Sequence, residues 1–270
     1  MNIALYRAML KQHSKTIFGF AIGSSLFLLM ETLIYPSIEE AVKAKMEMFD
    51  TLPEGMKAAF GMENGLNISS VLDLLSIQYY SLIFLVLLAL FTISTANKLL
   101  SHFVEQGSMA YLLSAPVSRK KVVGTMIGVF LTGLFLIVAC NFLFTYGGSL
   151  LVEKAELDLD LFFKINALGF LLFFAIGGYS FFFSSLFTEE RHVLAFAGGL
   201  TLVFYILDMV GKVNDKFEDV RMASIFALFQ PSEIIADDMN FAAASLILFG
   251  IGLVGYILSV AIFQKKNLPL

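Results

Sequence analysis

Three histidines and one cysteine are the side chains best suited to hold a metal or attack a substrate, and they are scattered. His13, His102 and His192 fall in three separate segments, and Cys140 sits in the middle of a long apolar run. No histidine has a second one a helical turn away, so no zinc-type ligand set forms. A lone cysteine has no internal disulfide partner, and in an apolar run it behaves as a small buried hydrophobe. No G-x-S-x-G elbow, H-E-x-x-H pair or G-x-x-x-x-G-K-[ST] phosphate loop occurs. The chain is therefore expected to be non-catalytic, with no cofactor or metal of its own. Any work driven by ATP falls to another chain.

Two carboxylates, Glu31 and Asp208, lie inside apolar runs. Charge is expensive within a membrane, and such residues are functional candidates by default. Both stand within about a turn of a run's end, where a carboxylate can also reach headgroups or a water-filled vestibule. The two readings, interfacial anchor and substrate or proton site, stay open at this point. Phe170, Phe173, Phe174 and their neighbours make an apolar surface that suits either packing or a hydrophobic path. Glu31, Asp208, Phe173 and Phe174 are thus the candidate substrate-path residues.

The elements that position these groups follow from composition. The 270 residues are 58% hydrophobic with mean hydropathy +0.83, too apolar for a soluble domain. A span needs roughly 20 apolar residues to cross about 30 Å of hydrocarbon. Six runs qualify: Ile17–Tyr35, Leu74–Ala96, Val122–Tyr146, Phe162–Phe187, Val193–Val210 and Phe241–Phe263. Lipid cannot satisfy backbone N–H and C=O groups, so these runs must be helices, and the strict alternation of barrel strands is missing. The expectation is an all-α polytopic membrane protein with six transmembrane helices in one domain, residues 1–270. The first run begins late, behind Arg7, Lys11 and Lys15, and no small-residue cleavage site follows it, so it reads as a retained span.

Of the 18 Lys and Arg, ten fall on the side of the two termini and eight on the other, which has the longer total loop length. Positive residues concentrate on the cytoplasmic side, which predicts both termini inside a plasma membrane. Of the 22 acids, only Glu105, Glu189 and Glu190 lie inside, against seventeen outside. With no basic groove beyond the membrane boundary, nucleic acid is excluded as a partner.

Residues 1–16 place Ile3, Tyr6, Met9 and Leu10 on one helical face and Arg7, Lys11 and His13 around the other. This is the pattern of an interfacial helix, or equally of a solvated extension of the first span. On the outer side, Ile38, Val42, Met46 and Phe49 recur at helical spacing, and Pro53 opens a second short helix that Gly61 stops. Between spans five and six, Phe217, Val220, Ser224 and Phe226, then Pro231-Ser232-Glu233, predict short helices folding back on the outer mouth. Gly19-x-x-x-Gly23, Gly124-x-x-x-Gly128, Gly177-Gly178, Gly198-Gly199 and Gly250-x-Gly252 predict close helix contacts or bends.

The longest inner polar interval is Glu105–Val123, EQGSMAYLLSAPVSRKKVV. It reads as a short helix, a stop at Pro116 and a restart capped by Ser118 that runs on as the third span. Tyr111, Leu112 and Leu113 form an apolar knob, and Arg119, Lys120 and Lys121 mark the membrane boundary. An apolar knob flanked by charge on a bare inner face suits docking into a groove of a partner.

The run Glu105, Gly107, Leu112, Leu113, Pro116, Val117, Ser118 and Arg119 resembles the signature of ABC-2 type export permeases, including antibiotic and antimicrobial-peptide exporters. The likeness extends to L-P-E-G-M-K-A-A-F-G at Leu52–Gly61 and S-I-F-A-L-F-Q-P at Ser224–Pro231. It implies that Glu105, Gly107, Tyr111, Leu112, Leu113, Pro116, Ser118 and Arg119 belong to a coupling helix, between spans two and three, that seats in a cytosolic ATPase. It further implies re-entrant outer helices between spans five and six, and two permease subunits, as a homo- or heterodimer, over two ATPase copies that bind ATP and Mg. Many relatives carry a Lys where this chain has Thr125. The implied function is the transmembrane subunit of a bacterial ATP-driven exporter of an amphipathic or hydrophobic peptide, toxin or antibiotic. The alternatives are a membrane sensor or immunity protein binding a peptide outside, and an ion-coupled secondary carrier.

Overall fold

The computed structural model describes residues 2–49, 70–114, 117–152, 155–213 and 218–267. The stretch Leu52–Gly61, Pro116 and Phe217, which carry sequence expectations, lie outside the described residues. The helices are α1 Ile3–Phe49, α2 Val71–Leu75, a π-helix Ser76–Ile83, α3 Phe84–Leu99, α4 Ser101–Glu105, α5 Met109–Ser114 and α6 Arg119–Ser149. After them come α7 Leu159–Leu186, α8 Glu190–Val213, α9 Glu218–Arg221, a 3-10 helix Ile225–Leu228, α10 Pro231–Ile235 and α11 Phe241–Lys265. No strand occurs among the described residues. Among the described residues, six stretches are long and apolar enough to cross a membrane: Ile3–Ile38, Val71–Glu105, Arg119–Ser149, Leu159–Leu186, Glu190–Val213 and Phe241–Lys265.

The chain start departs from a separate interfacial helix. α1 runs from Ile3 to Phe49 without a break and carries Pro36 inside it. The amphipathic first turns are thus the base of the first span, held on the third. The Asn2 N–H donates to Thr125 Oγ1 at 2.9 Å, and the Tyr6 and Thr132 hydroxyls share a bond of 2.8 Å. Thr125, where many relatives of the resembled family have Lys, is here an anchor for the chain start.

Two parallel helix pairs organise the bundle. α1 packs along α6, with matched contacts from Asn2–Thr125 to Thr32–Gly148. α7 packs along α11, from the stacked rings of Phe174 and Phe249 to the Ser185–Ser259 hydroxyl pair at 2.7 Å. The second pair touches backbone to backbone: a Cβ on Gly178 would lie 2.5 Å from the Gly252 carbonyl oxygen, and one on Gly255 2.5 Å from the Gly178 carbonyl carbon. Close approach of this kind drives helix association where no hydrophobic effect operates between spans. By contrast Gly19, Gly23, Gly124, Gly198, Gly199 and Gly250 have no neighbour near their Cβ direction among the described residues. Among the described residues the expected contacts at Gly19-x-x-x-Gly23 and at Gly124 are not made, because α1 and α6 meet along other faces.

The second span ties the pairs together through aromatic rings. Phe84 sits over Gly169, where a Cβ would come within 2.7 Å of its ring. It also meets Tyr79, Tyr80, Phe173 and Phe229 at centroid distances of 5.1 to 5.8 Å. Phe229 belongs to the cap between spans five and six, so the end opposite the termini closes on this cluster. The Ser224 hydroxyl accepts the Phe226 N–H and donates to the Phe204 carbonyl at 2.6 Å. Ile225, Phe226 and Ile234 are buried beneath. A Cβ on Gly211 would lie 2.4 Å from Arg221 Cβ, so glycine lets α9 lie directly on the end of α8.

Candidate functional site

The Glu105–Arg119 segment is built from two short helices joined by a tight reversal. α4 ends at Glu105, and Gly107 adopts φ +70°, a left-handed conformation that favours glycine. α5 then presents its residues unequally. Met109 is buried, Leu112 and Leu113 are half-buried against the core, and Tyr111 is 83% exposed. The knob expected at Tyr111–Leu113 is therefore a tyrosine projecting from a base of two leucines. Ser118 caps α6, its hydroxyl accepting the Lys121 N–H, so the segment feeds directly into the third span.

Both ends of the segment are tied to other spans. Glu105 Oε2 accepts the Glu190 backbone N–H at 2.8 Å, at the first turn of α8. The free N–H groups and positive dipole end of a helix favour a carboxylate there. The Glu190 side chain turns the other way, accepting from Asn97 Nδ2 at 2.7 Å and meeting His102 Nδ1 at 2.5 Å. At the other end, Arg119 Nη1 donates to the Lys266 carbonyl at 2.6 Å, just past the C-terminus of α11. Lys266 Nζ donates in turn to the Phe187 carbonyl at 2.6 Å, at the C-terminal end of α7. Cations at helix C-termini are the favourable placement. Burial lowers the Lys266 pKa to about 8.

The other sequence candidates lie elsewhere and apart. Asp208, 5% exposed, bonds Lys212 Nζ at 3.1 Å, Arg221 Nε at 3.4 Å and Gln230 Nε2 at 3.2 Å. Arg221 also reaches Glu233 at 2.8 Å. Asp208 thus joins α8 to the cap. Glu31 faces Gln78 of the π-helix. Phe173 is buried against Phe84, and Phe174 lies between Phe249 and Tyr256. Glu105, Gly107, Tyr111, Leu112, Leu113, Ser118 and Arg119 share one short stretch, whereas the four path candidates sit in three separate clusters.

Sequence reasoning missed Asn97, His102, Glu190 and Lys266 as its supports. The one available signal was that Glu189-Glu190 are two of only three acids on that side. No group of three His, Cys, Asp or Glu able to hold a metal occurs among the described residues.

Two apolar grooves open on the sides of the bundle. One, of about 530 Å³, lies between the third and fourth spans along Phe135, Phe142, Phe163 and Phe170. The other, of about 370 Å³, lies between the second and fifth along Leu85, Leu90, Leu194 and Leu202.

Residues 18–268 match the family described as ABC-2 family transporter protein. This chain belongs to the ABC-2 transporter family. The comparison with curated individual proteins finds no match. An ABC-2 permease is the membrane subunit of an ABC transporter, a multi-pass protein whose usual partner is an ABC ATPase. That role agrees with the six apolar helices described above. It makes the Glu105–Arg119 segment of this permease, on the face that carries both termini, its candidate ATPase contact.

Proposed function

We propose that this ABC-2 permease is the transmembrane half of an ATP-driven exporter in a bacterial plasma membrane, with both termini cytoplasmic. Two permease subunits stand over two ATPase copies, which bind ATP and Mg. The cargo is amphipathic or hydrophobic, a peptide, toxin or antibiotic, as the Phe-rich spans and apolar side grooves favour.

The observation that carries this reading is Tyr111, a large aromatic side chain left exposed on a short helix within a segment whose two ends, Glu105 and Arg119, are bonded to other spans. An exposed aromatic on a fixed base is the form that binding hot spots take. ATP binding closes the ATPases and displaces α5, and the displacement passes through Ser118 into α6. Through Glu105 it reaches α8, and through Arg119 and Lys266 it reaches α11 and α7. Conformations of such bundles differ by a few kcal/mol, so contacts in the ATPase suffice to switch them.

The test is co-purification with the ATPase and stimulation of its hydrolysis, in the parent and in Tyr111→Asp. Loss of both, with the permease still folded, is expected. An intact complex in Tyr111→Asp rules out docking through α5.

A further inference from the structure

A polar seam runs inside the bundle between the first, second and third spans. The Ser24 and Ser25 hydroxyls donate to Asn141 Oδ1 at 2.7 and 3.0 Å, and Asn141 Nδ2 donates to the Tyr79 hydroxyl at 3.0 Å. All four residues are buried. Two turns further along α1, Glu31 is 5% exposed and faces Gln78, the neighbour of Tyr79 in the π-helix. The Gln78 amide stands 2.7 and 3.1 Å from the two Glu31 carboxyl oxygens. π-helical turns occur frequently at functional sites.

Glu31 differs from Asp208 in its company. Asp208 holds two cations, whereas among the described residues no Lys, Arg or His lies within ion-pair distance of Glu31. The titratable side chains on the segments packed around this point are Tyr35 on α1, Asp73 on α2, Tyr79 and Tyr80 on the π-helix, and Cys140 and Tyr146 on α6. None is a cation. Up to residue 38 of α1, and on α3, α4 and α6, the lysines, arginines and histidines lie toward the end of the bundle that carries the termini; the side chains of Lys43 and Lys45 in the last turns of α1 lie outside the described residues.

A carboxyl paired with an amide is satisfied in either of two ways. Ionised, it accepts from the amide N–H groups. Protonated, its O–H donates to the amide oxygen after a half-turn of the amide about its Cγ–Cδ bond. Amide oxygen and nitrogen are nearly the same size, so the exchange needs no backbone movement. Polar groups inside hydrocarbon must be paired, and this pair remains so with or without the proton.

We infer that Glu31 and Gln78 form a proton-binding site within the membrane bundle. The Gln78 amide turns over between the two states, its N–H groups towards the ionised carboxylate and its oxygen towards the protonated one. The site lies beyond the ATPase-driven role, since it uses neither α5 nor the face of the termini.

Infrared difference spectroscopy on the full chain in lipid bilayers tests it. A deuterium-sensitive carboxylic C=O band that bleaches as pH is raised, and is lost completely in Glu31→Gln, is expected. The inference is overturned by the lack of such a band, by a band indifferent to pH, or by one that survives in Glu31→Gln. Gln78→Met, which removes the acceptor but keeps the bulk, is expected to move the band to higher frequency. An unmoved band in that variant refutes the pairing, even where Glu31→Gln fails to fold.

Discussion

Glu105 reaches across 85 positions of sequence to accept the backbone N–H of Glu190 at 2.8 Å. The carboxylate that closes α4, just before the reversal at Gly107, therefore caps the fifth span. The Glu105–Arg119 segment and α8 are joined at this bond.

Replacing that carboxylate separates its two roles. Glu105→Ala removes a helix cap, and loss of such caps costs about 0.5–2 kcal/mol. Glu105→Gln keeps an acceptor and should recover most of the stability. Thermal unfolding in detergent orders the three proteins. If coupling passes through this bond, ATPase stimulation follows the same order.

Tyr111 gives the opposite combination. An exposed side chain with no structural duty changes stability by less than about 0.5 kcal/mol when replaced, whereas a central aromatic anchor contributes about 2 kcal/mol or more to binding. Tyr111→Ala should unfold at the parent temperature yet bind the ATPase at least roughly 30-fold more weakly. Affinity measured beside a melting curve checks this. Leu112→Asp is a poorer probe, because Leu112 also packs on the core.

Gly178 is where the bundle is least tolerant of volume. A methyl group there meets the Gly252 carbonyl oxygen at 2.5 Å, and overpacking of this kind costs about 1–3 kcal/mol. Gly178→Ala should lower the unfolding temperature, while Gly19→Ala, with open space around it, should leave it unchanged. Parallel melts distinguish close packing from mere exclusion of lipid.

Asp208 is expected to behave as a structural anchor of the cap. Asp208→Ala leaves Lys212 without its carboxylate and Arg221 with Glu233, costing about 1–3 kcal/mol. Limited proteolysis should then cut sooner between residues 214 and 238. Asp208→Asn should be milder, because it still accepts from Gln230. Loss of transport in Asp208→Asn with the cap fully protected would instead favour the ion-carrier reading.

Lys266 should stand out chemically. Its pKa is lowered to about 8 from 10.5, so its neutral amine is half-populated near pH 8 and acylation of this residue should level off above that. An ordinary lysine keeps gaining reactivity towards pH 10.5. Because the folded chain binds fewer protons than the unfolded one between these values, this residue's contribution to stability rises with pH across that window. Peptide mapping after amine labelling at stepped pH reads the first effect, and pH-dependent melting the second.

The six spans and the polar segment between the second and third were legible because both rest on local composition. A run of about 20 apolar residues must be helical in lipid, whatever its neighbours. Ser118 as a cap and Gly107 as a reversal were legible for the same reason, since each acts within a few residues. The supports of the segment were not. Glu190 and His102 are 88 positions apart, and Lys266 is 79 from Phe187, and nothing local marks such a pairing. Among the glycine motifs, Gly177-Gly178 and Gly252 make the expected close contacts while Gly19-x-x-x-Gly23 and Gly198-Gly199 do not: spacing shows that a close approach is possible, not which face of the helix meets a neighbour.

Sequence by itself determined the class of molecule, its spans, its lack of a phosphate loop and the polar segment between the second and third spans. These are properties of short stretches in a defined solvent. Only the tertiary structure decided what the two intramembrane acids are. Both sit near a span's end and read alike in sequence. Folding sets Asp208 among cations on α8 and the cap, and sets Glu31 against an uncharged amide. The chemistry of a carboxylate inside a membrane depends on its nearest charge, and that is chosen by packing.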